Sequence, residues 1–112
     1  MHTEIQFYPK NRLHLEADVP GSKMWGVALK NTMLTYFEVE PGCVFEKHSH
    51  ESEQITMVLE GELFFNTDNG EFVVRAGEVI AFPSNVPHGT FTKTKSAKAV
   101  DAWSPVMDKY KQ

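Results

Sequence analysis

The sequence predicts an all-β fold, a sandwich or a barrel, and three observations carry that reading. No stretch keeps the 3.6-residue apolar period of an amphipathic helix. Short runs rich in β-branched and aromatic residues follow one another along the chain. Turn residues, among them Pro41-Gly42, Asn69-Gly70 and Ala76-Gly77, separate those runs every several residues. Many short strands spaced in this way bury their apolar faces only by packing sheet on sheet or by closing a sheet on itself.

The elements follow in order. Residues 1–20 read as irregular structure or an edge strand. Residues 25–29 and Met33–Val39 read as strands, and Pro41-Gly42 punctuates after the second. A run over 54–59 closes at Glu60-Gly61. Runs over 63–67 and 71–75 flank Asp68-Asn69-Gly70, a hairpin signal because Asn-Gly tolerates positive φ. Ala76-Gly77 turns the chain into Val79–Phe82, and residues 83–87, with a proline at each end, form a rigid loop. Runs over 89–92 and 97–103 complete the set. The tail, 108–112, is polar and expected to fray. With no repeat, low-complexity stretch or linker, residues 1–112 read as one domain.

Composition excludes several functions. Hydrophobic residues make up 41% and charged residues 23%, a globular balance. The net charge is −4 and no basic block exists, which argues against a nucleic-acid groove. A single cysteine, Cys43, excludes an internal disulfide and a cysteine-based zinc cluster. It reads as a small buried side chain, since no reactive context surrounds it. No apolar run approaches the ~20 residues of a membrane span. The first nineteen residues lack the apolar core of a secretory signal, so the expectation is a cytoplasmic protein without a membrane partner.

Five histidines occur, and three are suggestively spaced. His48 and His50 are two apart and share a face if they lie on a strand; Gln54 has the same parity if the chain stays extended. His88 follows the 83–87 loop. Two imidazoles, an oxygen donor and a third imidazole from another strand can surround a divalent metal. A lone His-x-His more often means two surface histidines. His2 and His14 lie outside the pattern.

The final strand alternates. Ala97, Ala99, Asp101 and Trp103 share one face; Lys98, Val100 and Ala102 share the other. Lys98 belongs in water, which turns Asp101 inward. A buried carboxylate is costly unless paired, hydrogen-bonded or functional. A twisted edge strand with Asp101 exposed is the alternative. Glu46 reads as a solvated charge. Tyr36, Phe37, Phe45, Phe64 and Phe82 read as core rather than pocket, and Met24, Met33 and Met57 as gap-fillers.

Two segments together resemble a known family. Gly42, five residues, His48-Ser49-His50, three residues, Gln54, six residues and Gly61 form the first, over 42–61. Gly77, five residues, Pro83-Ser84-Asn85, two residues and His88 form the second, over 77–88. In order and spacing they resemble the paired motifs of the cupin superfamily. The resemblance implies a double-stranded β-helix, a jelly-roll barrel, with one divalent metal ion (Zn, Ni, Mn or Fe) in its mouth. The implied ligands are His48, His50, Gln54 and His88. Gln54 stands where the family usually has glutamate, and Asn85 where it usually has glycine. Either Gln54 supplies an amide oxygen or only the histidines bind. A neutral ligand set leaves the 2+ charge uncompensated, which favours Lewis-acid work on an anionic substrate over support of a higher oxidation state.

A narrower resemblance joins the first motif to Asp101-Ala102-Trp103-Ser104-Pro105. It looks like the small pectin-degradation cupins that open and ketonise 4,5-unsaturated uronates. It implies Asp101 as catalytic acid and base, Trp103 shaping a sugar pocket, a small sugar acid as substrate and a homodimer. The strand Met33–Val39, apolar on both faces, is consistent with the last. The arginine that family carries shortly after the proline is absent; Val106-Met107-Asp108 stands there. The rivals are an iron-dependent dioxygenase built on the same ligands and a non-catalytic small-molecule sensor.

Overall fold

A computed structural model describes residues 4–111. Among them are nine strands and two single-turn 3₁₀ segments, Lys10–Arg12 and Asp108–Tyr110. The strands are β1 (Glu16–Ala17), β2 (Ser22–Ala28), β3 (Met33–Val39), β4 (Val44–His48), β5 (Glu53–Thr67), β6 (Gly70–Arg75), β7 (Val79–Phe82), β8 (His88–Phe91) and β9 (Ala97–Ser104). All pairings are antiparallel. They form a curled sheet in the order β1-β2-β3-β9-β5-β8-β4, with β6 and β7 also on β5. This is the jelly-roll barrel.

The long β5 makes the barrel possible. The sequence suggests two strands broken at Glu60-Gly61, but the chain continues as one. Its first half pairs with β7 and β9, its second half with β6 and β8. A register shift between Val58 and Glu60 bends it from one wall into the other. Gly61 sits in the bend at φ 72°, where an added Cβ would run into the Ser96 carbonyl. Glycine alone meets both demands.

Alternation on β3, β9 and the first half of β5 sends one set of side chains into the barrel. Val58, Phe65, Phe37, Val74, Phe82, Ala97 and Ala99 fill it, with Met24 and Met33 among them. Met57 departs from expectation: it lies on the outer face and is 39% exposed. The expectation of a frayed tail is also corrected. Tyr110 is buried, with its ring edge-on to Phe37 at 5.2 Å and against Trp103 at 5.6 Å. Gly26 admits this tail, since a Cβ there would lie 2.7 Å from the Tyr110 carbonyl oxygen. Cys43 is buried; its Sγ donates to the Pro20 carbonyl at 3.2 Å, and burial pushes its thiol pKa up.

Candidate metal centre

Three imidazoles meet at one end of the barrel. His48 ends β4 and pairs in register with His88, the first residue of β8. His50 lies in the following loop, and Gln54 on β5. One extended strand through His48, His50 and Gln54 is therefore not what gathers them. A braced loop does so. The Asn85 N–H donates to the His50 carbonyl at 2.7 Å, Ser84 Oγ to the Glu51 carbonyl at 2.5 Å, and Ser52 Oγ to the Pro105 carbonyl at 2.6 Å. Asn85 has φ 62°, a left-handed conformation that asparagine tolerates in place of the motif's glycine.

The ring centroids of His48, His50 and His88 lie 5.0–5.1 Å apart, and one nitrogen from each falls within 4.8 Å of the others. Their tautomers follow from their partners. Each Nδ1 lies 2.8–2.9 Å from a backbone carbonyl, of Glu46, Ser52 and Val86 respectively. A carbonyl only accepts, so each Nδ1 carries the proton and each Nε2 keeps its lone pair. His50 Nε2 is buried with no hydrogen-bond partner. His88, almost fully buried, has its pKa lowered, first by desolvation and then by the neighbouring imidazoles, which keeps it neutral.

Gln54 Oε1 lies 3.1 Å from His88 Nε2. Both atoms present lone pairs, so the contact is not a hydrogen bond of neutral groups. The distance matches the spacing of neighbouring ligands around a cation, about 3.0–3.4 Å when bonds are about 2.1 Å. An orphaned imidazole nitrogen, three fixed Nε2 lone pairs and an amide oxygen fit a divalent ion.

The sequence placed Asp101 inward, and it is buried, 5% exposed, in the middle of β9. Its neighbours across the sheet are Thr35 on β3 and Thr56 on β5. Thr35 Oγ1 donates to Asp101 Oδ2 at 3.1 Å, Thr56 Oγ1 makes a short bond to Oδ1, and Gln54 Nε2 donates to Oδ1 at 3.4 Å. Desolvation raises the Asp101 pKa from 3.8 to about 6, against the lowering effect of these hydrogen bonds. Trp103 is buried too. Its Nε1 donates to Thr35 Oγ1 at 2.8 Å, and its ring stands 5.4 Å from His50.

One cavity reaches His48, Gln54, His88, Asp101 and Trp103. It offers about 50 Å³ to solvent-sized occupants. That suits an ion with a few oxygens, one water needing about 10–15 Å³. Phe37, Phe45, Phe65 and Tyr110 form its apolar wall, so Phe37 and Phe45 serve both core and pocket. Glu46 and His14 are exposed and stand apart from it, and His2 lies outside the described residues. Sequence reasoning missed Thr35, Thr56 and Tyr110. The parity that placed Gln54 inward on its strand also placed Thr56, but a threonine in a strand carries no signal of its own.

Comparison with known proteins agrees with this fold. Residues 35–103 match the family described as Cupin domain. The chain belongs to the cupin family. Solved structures similar to this cupin include an RmlC-like cupin from Shewanella frigidimarina, 24% identical over 99% of this chain and 100% of that one, with a TM-score of 0.88. KdgF from a Halomonas species is 22% identical over 93% and 98%, with a TM-score of 0.84. The polyketide cyclase RemF from Streptomyces resistomycificus is 24% identical over 92% and 81%, with a TM-score of 0.79. At these identities the likeness is one of fold. No curated protein matches the chain.

Proposed function

We propose that this cupin, a single domain over residues 1–112, is a metal-dependent acid–base enzyme. Its substrate is a small oxygen-rich molecule, best matched by a 4,5-unsaturated uronate that is opened and ketonised. The observation that carries the reading is the buried Asp101 carboxylate on the same cavity as His48 and His88, two of the three convergent imidazoles. His48, His50 and His88 would hold the ion through Nε2, and Gln54 would hold it through Oε1. A divalent ion there supplies Lewis-acid stabilisation of negative charge on substrate oxygen.

Asp101 does the proton work. Ring opening and ketonisation are both isomerisations, so no oxidant is needed. In ketonisation a carboxylate oxygen of Asp101 takes the enol O–H proton and a proton returns to carbon, leaving Asp101 as it began. Burial raises the Asp101 pKa above the usual carboxylate value, which suits a group that both takes and returns a proton. The Trp103 ring shapes the wall beside His50. Among the described residues lining the cavity there is no lysine or arginine, so a substrate carboxylate relies on the ion for its charge partner. Arg75 lies on the β6 hairpin near Glu62, and Lys109 over the Tyr110 ring. The aromatic wall favours a second reading, the same proton transfer on an apolar enolisable substrate.

The protein acts as a homodimer in this proposal, packing through the outer face of the β3–β9–β5 layer. No helix among the described residues is long and apolar enough to cross a membrane. The test is metal analysis of protein purified without a histidine-tag column, followed by a panel of unsaturated uronates watched by ultraviolet absorbance. Metal-dependent loss of absorbance is the expected result. Metal-loaded protein that leaves every uronate intact removes the uronate assignment, and oxygen uptake with any substrate replaces it with the dioxygenase.

A further inference from the structure

A directed chain of hydrogen bonds runs behind the histidines. The Trp103 indole only donates, and it donates to Thr35 Oγ1 at 2.8 Å. Thr35 has one proton of its own and gives it to Asp101 Oδ2. Thr56 gives its proton to Asp101 Oδ1. The Thr56 oxygen must then accept, and Gln54 Nε2 donates to it at 2.9 Å. Thr35 is fully buried and Thr56 is 1% exposed, so water does not replace either hydroxyl.

The chain settles a question that the amide alone leaves open. A glutamine side chain fits one slot in two orientations, related by a half-turn that exchanges oxygen and nitrogen. Here the NH₂ is held by the Thr56 hydroxyl at 2.9 Å and, more weakly, by Asp101 Oδ1 at 3.4 Å, and the oxygen therefore faces His88 Nε2 at 3.1 Å. Reversing the amide would set two acceptors, Gln54 Oε1 and the committed Thr56 oxygen, against each other. It would also turn a donor toward the histidines. A glutamate would need no such device, because its two oxygens are equivalent. The threonine matters because the ligand position holds an amide.

We propose that Thr56 is a positioning residue of the metal centre: its hydroxyl, committed to Asp101, fixes the Gln54 amide with its oxygen toward the histidines and so makes Gln54 a metal ligand. The proposal rests on the metal-centre reading above. It is independent of which substrate is used.

The experiment uses Co²⁺ alone as the probe, read by its visible absorption spectrum and by titration, with no turnover involved. Wild type and Thr56→Ser share one spectrum and one affinity. Thr56→Val keeps the size of the side chain and removes the hydroxyl; it weakens Co²⁺ binding by about 10–100-fold, the usual loss on removing an outer hydrogen-bond partner of a ligand. Its spectrum matches that of Gln54→Leu, and the double variant loses nothing further. Thr35→Val removes the other hydroxyl on Asp101, equally buried, and leaves the Co²⁺ spectrum unchanged; a merely structural role would move both threonine variants alike. If Thr56→Val fails to fold, Thr56→Ala carries the same expectation. Unchanged affinity and spectrum in the folded Thr56 variant overturn the proposal, and so does an unchanged spectrum in Gln54→Leu. A wild-type protein that binds no Co²⁺ removes the metal reading and this proposal together.

Discussion

On the inner face of the β3–β9–β5 layer, one row reads Thr35, Asp101 and Thr56, and the next carries Trp103 and Gln54. On the outer face of the same strands, the rows read Leu34, Ala102, Ile55 and Tyr36, Val100, Met57. β7 extends them with Ala81 and Val79, and Trp25 of β2 stacks on Tyr36 at 5.5 Å. A solvated sheet usually has apolar residues inward and polar ones outward. Here a hydrogen-bonded polar chain is buried while Leu34, Ile55 and Met57 are 44%, 53% and 39% exposed. Buried polar groups that are fully partnered specify a site; a continuous exposed apolar patch specifies an interface. A row of Glu38, Lys98 and Glu60 borders the patch, as polar rims border interfaces. One layer thus carries the proposed chemistry on one side and the proposed dimer contact on the other.

The largest expected effect breaks the inner face. Asp101→Asn lowers turnover at least ~10²-fold, the scale of a positioned acid or base, while the fold and metal content persist. Kinetics on the metal-loaded variant check this, and near-wild-type turnover takes Asp101 out of the mechanism.

The same residue shapes stability against pH. Asp101 titrates near 3.8 unfolded and about 6 folded, so the folded state holds the proton more tightly. Its contribution is fully present below pH 3.8 and is lost as pH rises through about 6. The loss is about 3 kcal/mol for a shift of this size. His88 acts with the opposite sign: its lowered pKa gives stability that is present above 6.5 and lost as pH falls. Denaturation of the metal-free wild type and of Asp101→Asn across pH 3–8 isolates the first effect as a difference. The variant gains relative stability with rising pH, and a flat difference contradicts the burial argument.

Charging the outer face sharpens the comparison from the other side. Ile55→Glu with Met57→Glu converts a particle of twice the 12.7 kDa chain mass into a monomer by sedimentation, with the Co²⁺ spectrum unchanged. A wild-type monomer at high concentration refutes the interface. The smallest effect belongs to neither face. Lys47→Met breaks a 2.5 Å pair with Asp68 whose side chains are 41% and 68% exposed. It alters stability by about 0–1 kcal/mol, measured by urea denaturation.

Sequence alone determined what depends on parity and turn chemistry. Alternation on β9 placed Asp101 and Trp103 inward, because successive side chains of a strand point to opposite faces. The bounds of β3 and β7 were legible in their apolar runs and flanking turn residues. The spacing of His48, His50, Gln54 and His88 marked the residues that gather. Tertiary structure decided the rest. It carried β5 through Gly61 as one bent strand, since a bulge is set by the closure of the barrel rather than by local propensity. It brought Tyr110 from a polar tail into the core, a contact 73 residues away from Phe37. It aligned Thr35 and Thr56 on either side of Asp101, because register across three strands is fixed only when all three are paired. A threonine in a strand is ambiguous until that register shows which carboxylate and which amide it joins.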